Sequence, residues 1–267
     1  MSILAYADKV LLSERVDIPG SRPPQTTTTR ATGEALLILR HWYHMFWRMH
    51  MARYSLRGRF NTENFIVYHK SPTLGVRMRG TLHLVNFSKG AGHLDYLQFV
   101  ASAQQFLTVP HHIRAWLDLI ALGHQGNEYV IRFNSALMLP REAFSHTMSL
   151  YHILEHIADV DTQLFNLVLL FNSEYGGWDS STRCVNRHMN SSRKYTLRIS
   201  SLKAPFEPNV RGVLKLCRDC GEHPCRGMQQ LMIFIMEQDF PGLVAKFQFN
   251  MFRAGQLQGL NLEATMG

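Results

Sequence analysis

Residues 209–252, NVRGVLKLCRDCGEHPCRGMQQLMIFIMEQDFPGLVAKFQFNMF, contain the pattern that decides the fold. Apolar residues recur there at steps of three and four, which is the spacing of one helical face: Val210, Val213, Leu214 and Cys217. We expect Asn209 to cap this helix and Gly221 to end it. After the apolar stretch 231–236, Phe240 and Pro241 are expected to begin another helix, whose core residues are Leu243, Val244 and Phe247.

Arg218 and His223 lie near the end of the first of these helices and off its apolar face. An arginine fork matches phosphate oxygens, and a histidine can donate a proton near neutral pH. RNA cleavage by a 2′-hydroxyl needs such a proton donor and a cation for the phosphorane. The pair therefore indicates a phosphate-directed site. Two surface residues at a helix end are the alternative interpretation.

This stretch resembles the C-terminal half of the KEN nuclease domain of ribonuclease L and of the kinase–nuclease sensor of the unfolded-protein response. Their shared signature is an apolar helix running into Arg-Asn, a His five residues after the Arg, and a Phe-Pro that begins the last helix. Here Arg218, Asp219, His223 and the Phe240-Pro241 pair occupy that frame. The resemblance implies an RNA endonuclease. In this family the His acts as the general acid, the Arg and Asn contact the phosphate, and a Tyr lies upstream of them in the sequence.

The resemblance extends to a kinase-like segment before the nuclease. A helix over 34–51, short strands over 64–68 and 81–88, and helices over 94–107 and 111–122 follow the order around a protein-kinase active site. Residues 57–64 occupy the frame His-Arg-Asp-Leu-Lys-Pro-x-Asn, and 86–88 the frame Asp-Phe-Gly. Arg59 stands at the base position, where it cannot accept a proton, and Asn86 stands at the metal-binding acid. The segment is therefore predicted to be an inactive pseudokinase scaffold.

Two departures from the family signature predict that the nuclease is degenerate. Asp219 replaces the Asn of the signature, which removes an amide donor and adds a negative charge beside the phosphate. At ~4 Å, that repulsion is about 1 kcal/mol in water and about 4 kcal/mol at an effective dielectric constant of 20. The upstream Tyr position falls at Pro205 or, with one gap, at Phe206, and neither has a hydroxyl.

The charge distribution points to a polyanionic partner. Residues 183–226 contain ten Lys or Arg against three acids, so this segment carries +7 of the formal net charge of +8. A basic surface beside an Arg/His site is what RNA binding requires, although a solvated basic face would have the same composition. We therefore predict RNA as the partner, bound along 183–226.

A zinc site competes with the nuclease interpretation over the same residues. Cys217, Cys220, His223 and Cys225 have the right ligand types, but four ligands within nine residues leave little chain to surround a tetrahedral ion. Zinc would also make His223 unavailable as an acid. The nuclease interpretation assigns no metal and no cofactor.

The composition bounds the remaining classes. A chain of 267 residues that is 46% hydrophobic can form one large or two small packed domains. Neither a signal peptide nor an apolar run of ~18–20 residues is apparent, so we expect an intracellular protein, cytoplasmic or nuclear, without a membrane segment. Four cysteines do not form a disulfide framework.

The predicted fold class is mostly α: a truncated protein-kinase-like C-lobe fused to an all-helical KEN-like domain. We expect a mobile leader at 1–33, the pseudokinase lobe at 34–134 and the nuclease domain at 135–267. The predicted function is a weak or inactive metal-independent endoribonuclease that is not a kinase. The alternative is a non-enzymatic interaction scaffold that forms a homo- or heterodimer with a full-length kinase/nuclease homologue.

Overall fold

The structure is a computed structural model that describes residues 1–23, 26–70, 73–123, 126–178, 184–199, 206–222 and 231–266. The chain forms two compact units. Unit 1 comprises Met1–Arg15 and Thr29–Leu137, and unit 2 comprises Val16–Thr28 and Met138–Gly267. Helices dominate both, which confirms the mostly-α class. The main part of unit 2 begins three residues after the position at which we predicted the nuclease domain to begin.

Unit 1 combines helices with small two-stranded sheets. Its elements, in chain order, are α1 (Ile3–Ala7), β1 (Ser13–Asp17), β2 (Thr27–Ala31), α2 (Gly33–Met51), β3 (Tyr54–Ser55), β4 (Phe65–Lys70), β5 (Thr73–Met78), β6 (Val85–Asn86), α3 (Lys89–Phe106), α4 (His111–Leu122) and α5 (Glu128–Arg132). Strand β1 pairs with β2, β3 with β6, and β4 with β5. The tip of the β1–β2 hairpin belongs to unit 2.

Helix α2 forms the centre of unit 1. Thr32 caps it by accepting a hydrogen bond from the Ala35 N–H, and its side chains Trp42, Tyr43 and Phe46 are buried among those of α3 and α4. The ring centroids of Trp42 and Phe99 are 4.9 Å apart in an edge-to-face arrangement. The observed bounds of α2 and α4 match the predicted ranges because both helices show clear apolar patterning and well-marked starts.

A buried carboxylate fixes the turn after β3. Asp95 is fully buried and accepts hydrogen bonds from the Leu56 N–H at 3.0 Å, the Gly58 N–H at 2.7 Å and the Ser55 hydroxyl at 2.7 Å. Its other partner is the His50 ring, 2.9 Å away. Burial alone would raise the pKa of Asp95, but these donors outweigh it and hold the pKa below the usual value. The turn that we aligned with the kinase catalytic loop is therefore held in one conformation.

Three parts of the chain differ from the predictions. No strand was predicted between 68 and 81, but most of residues 69–80 belong to the β4–β5 hairpin, since buried Leu74 gives β5 a packed face. The strand predicted over 81–88 is limited to Val85–Asn86. Residues 1–33, predicted to be a mobile leader, contain α1 and the β1–β2 hairpin, and bury Ile3 and Tyr6.

Unit 2 is a helical assembly. Its helices are α6 (Pro140–Val160), α7 (Thr162–Val168), α8 (Arg187–Ile199), α9 (Val210–Glu222), α10 (Met232–Asp239), α11 (Leu243–Arg253) and α12 (Leu262–Met266). Helix α6 ends before Asp161, whose side chain accepts from the Leu164 N–H at 2.9 Å and so starts α7.

Helix α9 begins as predicted and ends later. Asn209 accepts a hydrogen bond from the Gly212 N–H at 3.1 Å, which confirms the predicted cap. The expectation that Gly221 ends the helix is wrong, because α9 continues through Gly221 to Glu222. The reason for this glycine is close packing, since a Cβ atom at this position would lie 2.4 Å from the ring of Phe144 on α6.

A polar contact in the interior of unit 2 positions α8. The Asn186 side chain accepts from the His188 N–H at 3.0 Å at the start of α8 and donates to the Pro19 carbonyl at 2.8 Å in the hairpin tip. The Asn186 N–H in turn donates to Asp239 at 3.0 Å. Burial, only partly offset by the N–H groups of Asn186 and Val185, raises the pKa of Asp239 to about 6. Asn186 thus connects α8, α10 and the hairpin tip.

The Phe240-Pro241 segment occupies the predicted place between two helices. The Tyr175 hydroxyl donates to the Pro241 carbonyl at 2.7 Å, and the Trp178 ring packs edge-on against Phe240. Gly242 then adopts a left-handed conformation at φ 77°, and α11 begins with buried Leu243.

In the described ranges, no helix is both long and apolar enough to span a membrane.

The close approach at the start of α9 yields a prediction. A Cβ atom at Gly212 would lie 1.9 Å from the Glu207 carbonyl oxygen, and backbone atoms cannot rotate away. We expect Gly212→Ala to lower the free energy of unfolding by about 1–3 kcal/mol, measured by urea denaturation. Gly90→Ala is the matched control, because Gly90 is also in the first turn of a helix but has open space around it. That control should be more stable by about 0.4–1 kcal/mol. Equal changes in both variants would contradict the packing described for α9.

Candidate functional site: the Arg218 face of α9

Helices α6 and α9 are joined by an arginine fork. Arg211 on α9 donates to the Glu155 carboxylate on α6, with Nε–Oε1 at 2.6 Å and Nη2–Oε2 at 3.2 Å. Its Nη1 also donates to Glu207 at 3.1 Å. Burial alone would raise the pKa of Glu155, but Arg211 outweighs it and lowers that pKa. Two carboxylates therefore neutralise Arg211.

Arg218 lies two turns further along α9, and its guanidinium carbon is 5.8 Å from the ring centroid of Tyr151 on α6. That distance is within the range of a cation–π contact. Arg211 and Arg218 are seven residues apart and so project from the same side of the helix. The predicted phosphate-binding cation is thus supported by the side chains of α6.

Asp219 binds Arg218 directly. Its Oδ1 accepts from Nε of Arg218 at 3.0 Å and from Nη2 at 2.6 Å. The Arg218 side chain is 29% exposed and that of Asp219 is 19% exposed, so the pair is only partly solvated. Burial alone would lower the pKa of Arg218, and Asp219 outweighs it and raises that pKa. Glu222 adds a second, more distant carboxylate at 3.8 Å.

This contact changes the meaning of the Asp219 substitution. From the sequence, Asp219 was expected to act by repelling phosphate. In the structure it also accepts from Nε and Nη2, the two donors that a phosphate would need for a bidentate contact with this edge of the guanidinium. An incoming phosphate must therefore displace a carboxylate before it can bind this edge of Arg218.

The other predicted site positions are distributed differently. His223, the predicted acid, lies outside the described residues, as does Pro205. Phe206, the other candidate for the tyrosine position, is 5% exposed and packs edge-on against Trp178 at 6.2 Å. Because Phe206 is buried, a tyrosine at this position would place its hydroxyl in the protein interior.

Sequence reasoning missed Tyr151 as a neighbour of Arg218. No local signal in the sequence links Tyr151 to a residue 67 positions later. Tyr151 is fully buried, and burial together with the Glu155 carboxylate raises the pKa of its hydroxyl well above the usual value. Tyr151 therefore supports the guanidinium and is poorly placed to accept a proton from a 2′-hydroxyl.

Helix α8 presents the basic segment to solvent. Arg187, Lys194 and Arg198 are exposed and spaced so that they share one side of the helix, which contains no acid. Tyr195 beside them is 65% exposed, which is unusual for a large aromatic side chain. We call these four residues the basic stripe. Helix α8 packs on α9, so the stripe and Arg218 belong to neighbouring helices of unit 2.

The proposed zinc ligands are only partly described. Cys217 and Cys220 are free thiols on the buried face of α9, and burial raises the pKa of Cys220 to about 11. His223 and Cys225 lie outside the described residues, so the four-ligand set stays a hypothesis. Among the described residues, no group of three or more His, Cys, Asp or Glu side chains could hold a metal ion.

Comparison of the chain with family models, with curated proteins and with solved structures finds no match.

Proposed function

We propose that this chain is a degenerate homologue of the KEN-type RNA endonucleases, which binds RNA through unit 2 and cleaves it weakly or not at all. The observation that carries the proposal is the basic stripe, an acid-free and exposed row of cations with an aromatic ring, next to the helix that contains Arg218. The resemblance over Arg218, Asp219 and His223 is the reason for proposing this nuclease family. The basic stripe is the reason for proposing RNA as the partner.

RNA suits the stripe for two reasons. Phosphates along a strand attract spaced Lys and Arg side chains, and association releases condensed counterions. An exposed tyrosine adds a surface on which an unpaired base can stack. A stem-loop offers both features, since its loop exposes bases and its backbone supplies the phosphates.

The chemistry is proposed to be impaired at two points. Asp219 neutralises the cation that would stabilise the phosphorane. The hydroxyl of Tyr151, whose ring contacts Arg218, is buried and holds its proton tightly. His223 could still donate a proton to the leaving oxygen, but proton donation without an accessible base and a free cation gives slow cleavage.

Unit 1 is proposed to be the kinase-like scaffold without phosphoryl transfer. Arg59 follows the turn fixed by Asp95 and is exposed, and an arginine there cannot act as a base. Asn86 is a neutral residue in the short strand β6. Ser88 then caps α3 by accepting from the Ala91 N–H, so the chain enters a helix at once and leaves no room for an activation segment.

A protein-interaction scaffold is the second candidate. It is favoured by Leu94 and Leu97, which lie one turn apart on α3 and are 44% and 39% exposed. A dimer of this chain, or a complex with a kinase/nuclease homologue, would cover such side chains. The RNA proposal places binding on unit 2, whereas the scaffold proposal places it on unit 1. Binding assays on variants of each unit therefore distinguish the two proposals.

The stripe prediction uses a labelled stem-loop RNA and three substitutions to glutamine, at Arg187, Lys194 and Arg198. We expect the triple variant to bind more weakly and to reduce the slope of log K against log salt by about 2, because each lost phosphate contact accounts for roughly 0.7–0.9 of that slope. The matched control changes exposed Arg48, Arg59 and Arg79 of unit 1 to glutamine and should leave the slope unchanged. If both variants lost RNA affinity equally, binding would depend on the net charge of the protein rather than on a defined surface.

A second prediction concerns the carboxylate on Arg218. Asp219→Asn should tighten RNA binding about fivefold at low salt, since removal of one charge beside a phosphate is worth roughly 1 kcal/mol at a solvated site. Fluorescence anisotropy with the same RNA measures this change. The matched control is Glu222→Gln, which removes the same charge from a carboxylate 3.8 Å from Arg218 and should have a smaller effect.

Two further variants make this test specific. In the Asp219→Asn background, Arg218→Gln should abolish the gain. Any cleavage that appears should persist in chelator, leave a cyclic phosphate, and disappear with His223→Ala. If Asp219→Asn and Glu222→Gln behave alike, the direct Arg218–Asp219 contact has no functional role.

A further inference from the structure

A pocket at the C-terminal end of α2 lies entirely within unit 1. Its volume is about 500 Å³, which is in the range of small-molecule sites. Among its lining residues are three aromatic side chains, Trp47, Phe87 and Tyr96, together with His50 and two exposed cations, Arg53 and Lys89. This combination of rings and cations is separate from the Arg218 face and serves no role in the proposed nuclease.

The aromatic wall of the pocket is firmly supported. The rings of Phe87 and Tyr96 lie against His50, with centroids 5.0 Å and 4.9 Å away. His50 is fixed by its contact with buried Asp95 at 2.9 Å. Tyr96 is 1% exposed and stacks on Tyr43 behind it at 5.5 Å. Tyr96 and His50 are buried, so a flat ligand would meet the half-buried ring of Phe87, which these neighbours already hold in place, and little ordering is needed on binding.

Arg53 at this pocket has an unusual backbone. Its φ is 67°, in the left-handed region that favours glycine and that few other residues adopt. Its carbonyl accepts the Phe87 N–H at 2.9 Å, which fixes that conformation beside β6. Because glycine would satisfy the backbone at lower cost, the arginine side chain itself needs an explanation.

The charged residues at the pocket favour a ligand with a negative charge. Arg53 and Lys89 contribute two cations, against one carboxylate from Glu128. Aromatic cages also bind quaternary ammonium groups, but two cations among the lining residues oppose such a ligand. An anionic group on the ligand would pair with these cations, while its ring stacks on the wall.

We infer that this pocket binds a planar aromatic anion, one or two fused rings bearing a carboxylate or a phosphate, and that Arg53 is its anion-recognising residue. The pocket volume suits a ligand of that size. Arg57 provides an internal reference, because it is also exposed and left-handed at φ 55° but does not line the pocket.

The test uses the full chain and the probes 1-naphthoate, 1-naphthyl phosphate, neutral 1-naphthamide and phenyltrimethylammonium. Quenching of tryptophan fluorescence reports binding, since Trp47 is half-buried whereas Trp42, Trp116 and Trp178 are buried. We expect an anionic probe to bind with a dissociation constant of roughly 10–1000 μM and the amide at least tenfold more weakly. The two anions separate a carboxylate ligand from a phosphate ligand.

Two glycine variants decide the role of Arg53. Arg53→Gly and Arg57→Gly remove the same charge and relieve the same backbone conformation, so each should fold at least as well as the natural chain in urea denaturation. Only Arg53→Gly should weaken the anionic probe, by tenfold or more, while leaving the amide unchanged. The inference is overturned if no anionic probe binds, if the two variants weaken it equally, or if the ammonium probe binds more tightly.

Discussion

The packing of α9 against α6 is the constraint on which the candidate site depends. Gly221 permits close approach to the Phe144 ring, and at the other end of α9 the Arg211–Glu155 fork joins the two helices. With both ends fixed, Arg218 is placed over the Tyr151 ring. The contact with Tyr151 uses none of the guanidinium N–H donors, so it leaves them available for hydrogen bonds.

The donors on one edge of that guanidinium are nevertheless in use. Asp219 accepts from Nε and Nη2, and Glu222 lies nearby. A partly exposed ion pair of this kind adds little to stability, about 0–1 kcal/mol, so its main consequence is for binding. Unit 2 then combines an open cationic surface on α8 with a neutralised arginine on α9. This combination is the basis of the proposal that the chain binds RNA and cleaves it weakly or not at all.

Sequence predicted the features that depend on local patterning and missed those that depend on tertiary contacts. The bounds of α2 and α4 and the Asn209 cap follow from periodicity and capping chemistry. Strand β5 was missed although Leu74, Val76 and Met78 alternate with Gly75 and Arg77 as in a strand, and Gly221 was misread because its function is packing rather than helix termination. The Arg218–Asp219 contact joins adjacent residues, which do not ordinarily face each other on a helix, and Tyr151 reaches Arg218 only through the fold.

The most direct test of RNA binding by unit 2 is an NMR titration of the ¹⁵N-labelled chain with a short stem-loop RNA at low salt. Backbone amide signals and the arginine Nε–Hε signals would be followed together. The account predicts the largest shifts in α8, from Arg187 to Ile199, with Arg211 unaffected because Glu155 and Glu207 hold it. Shifts confined to unit 1, or no shifts at RNA concentrations that saturate the binding assay, would contradict it.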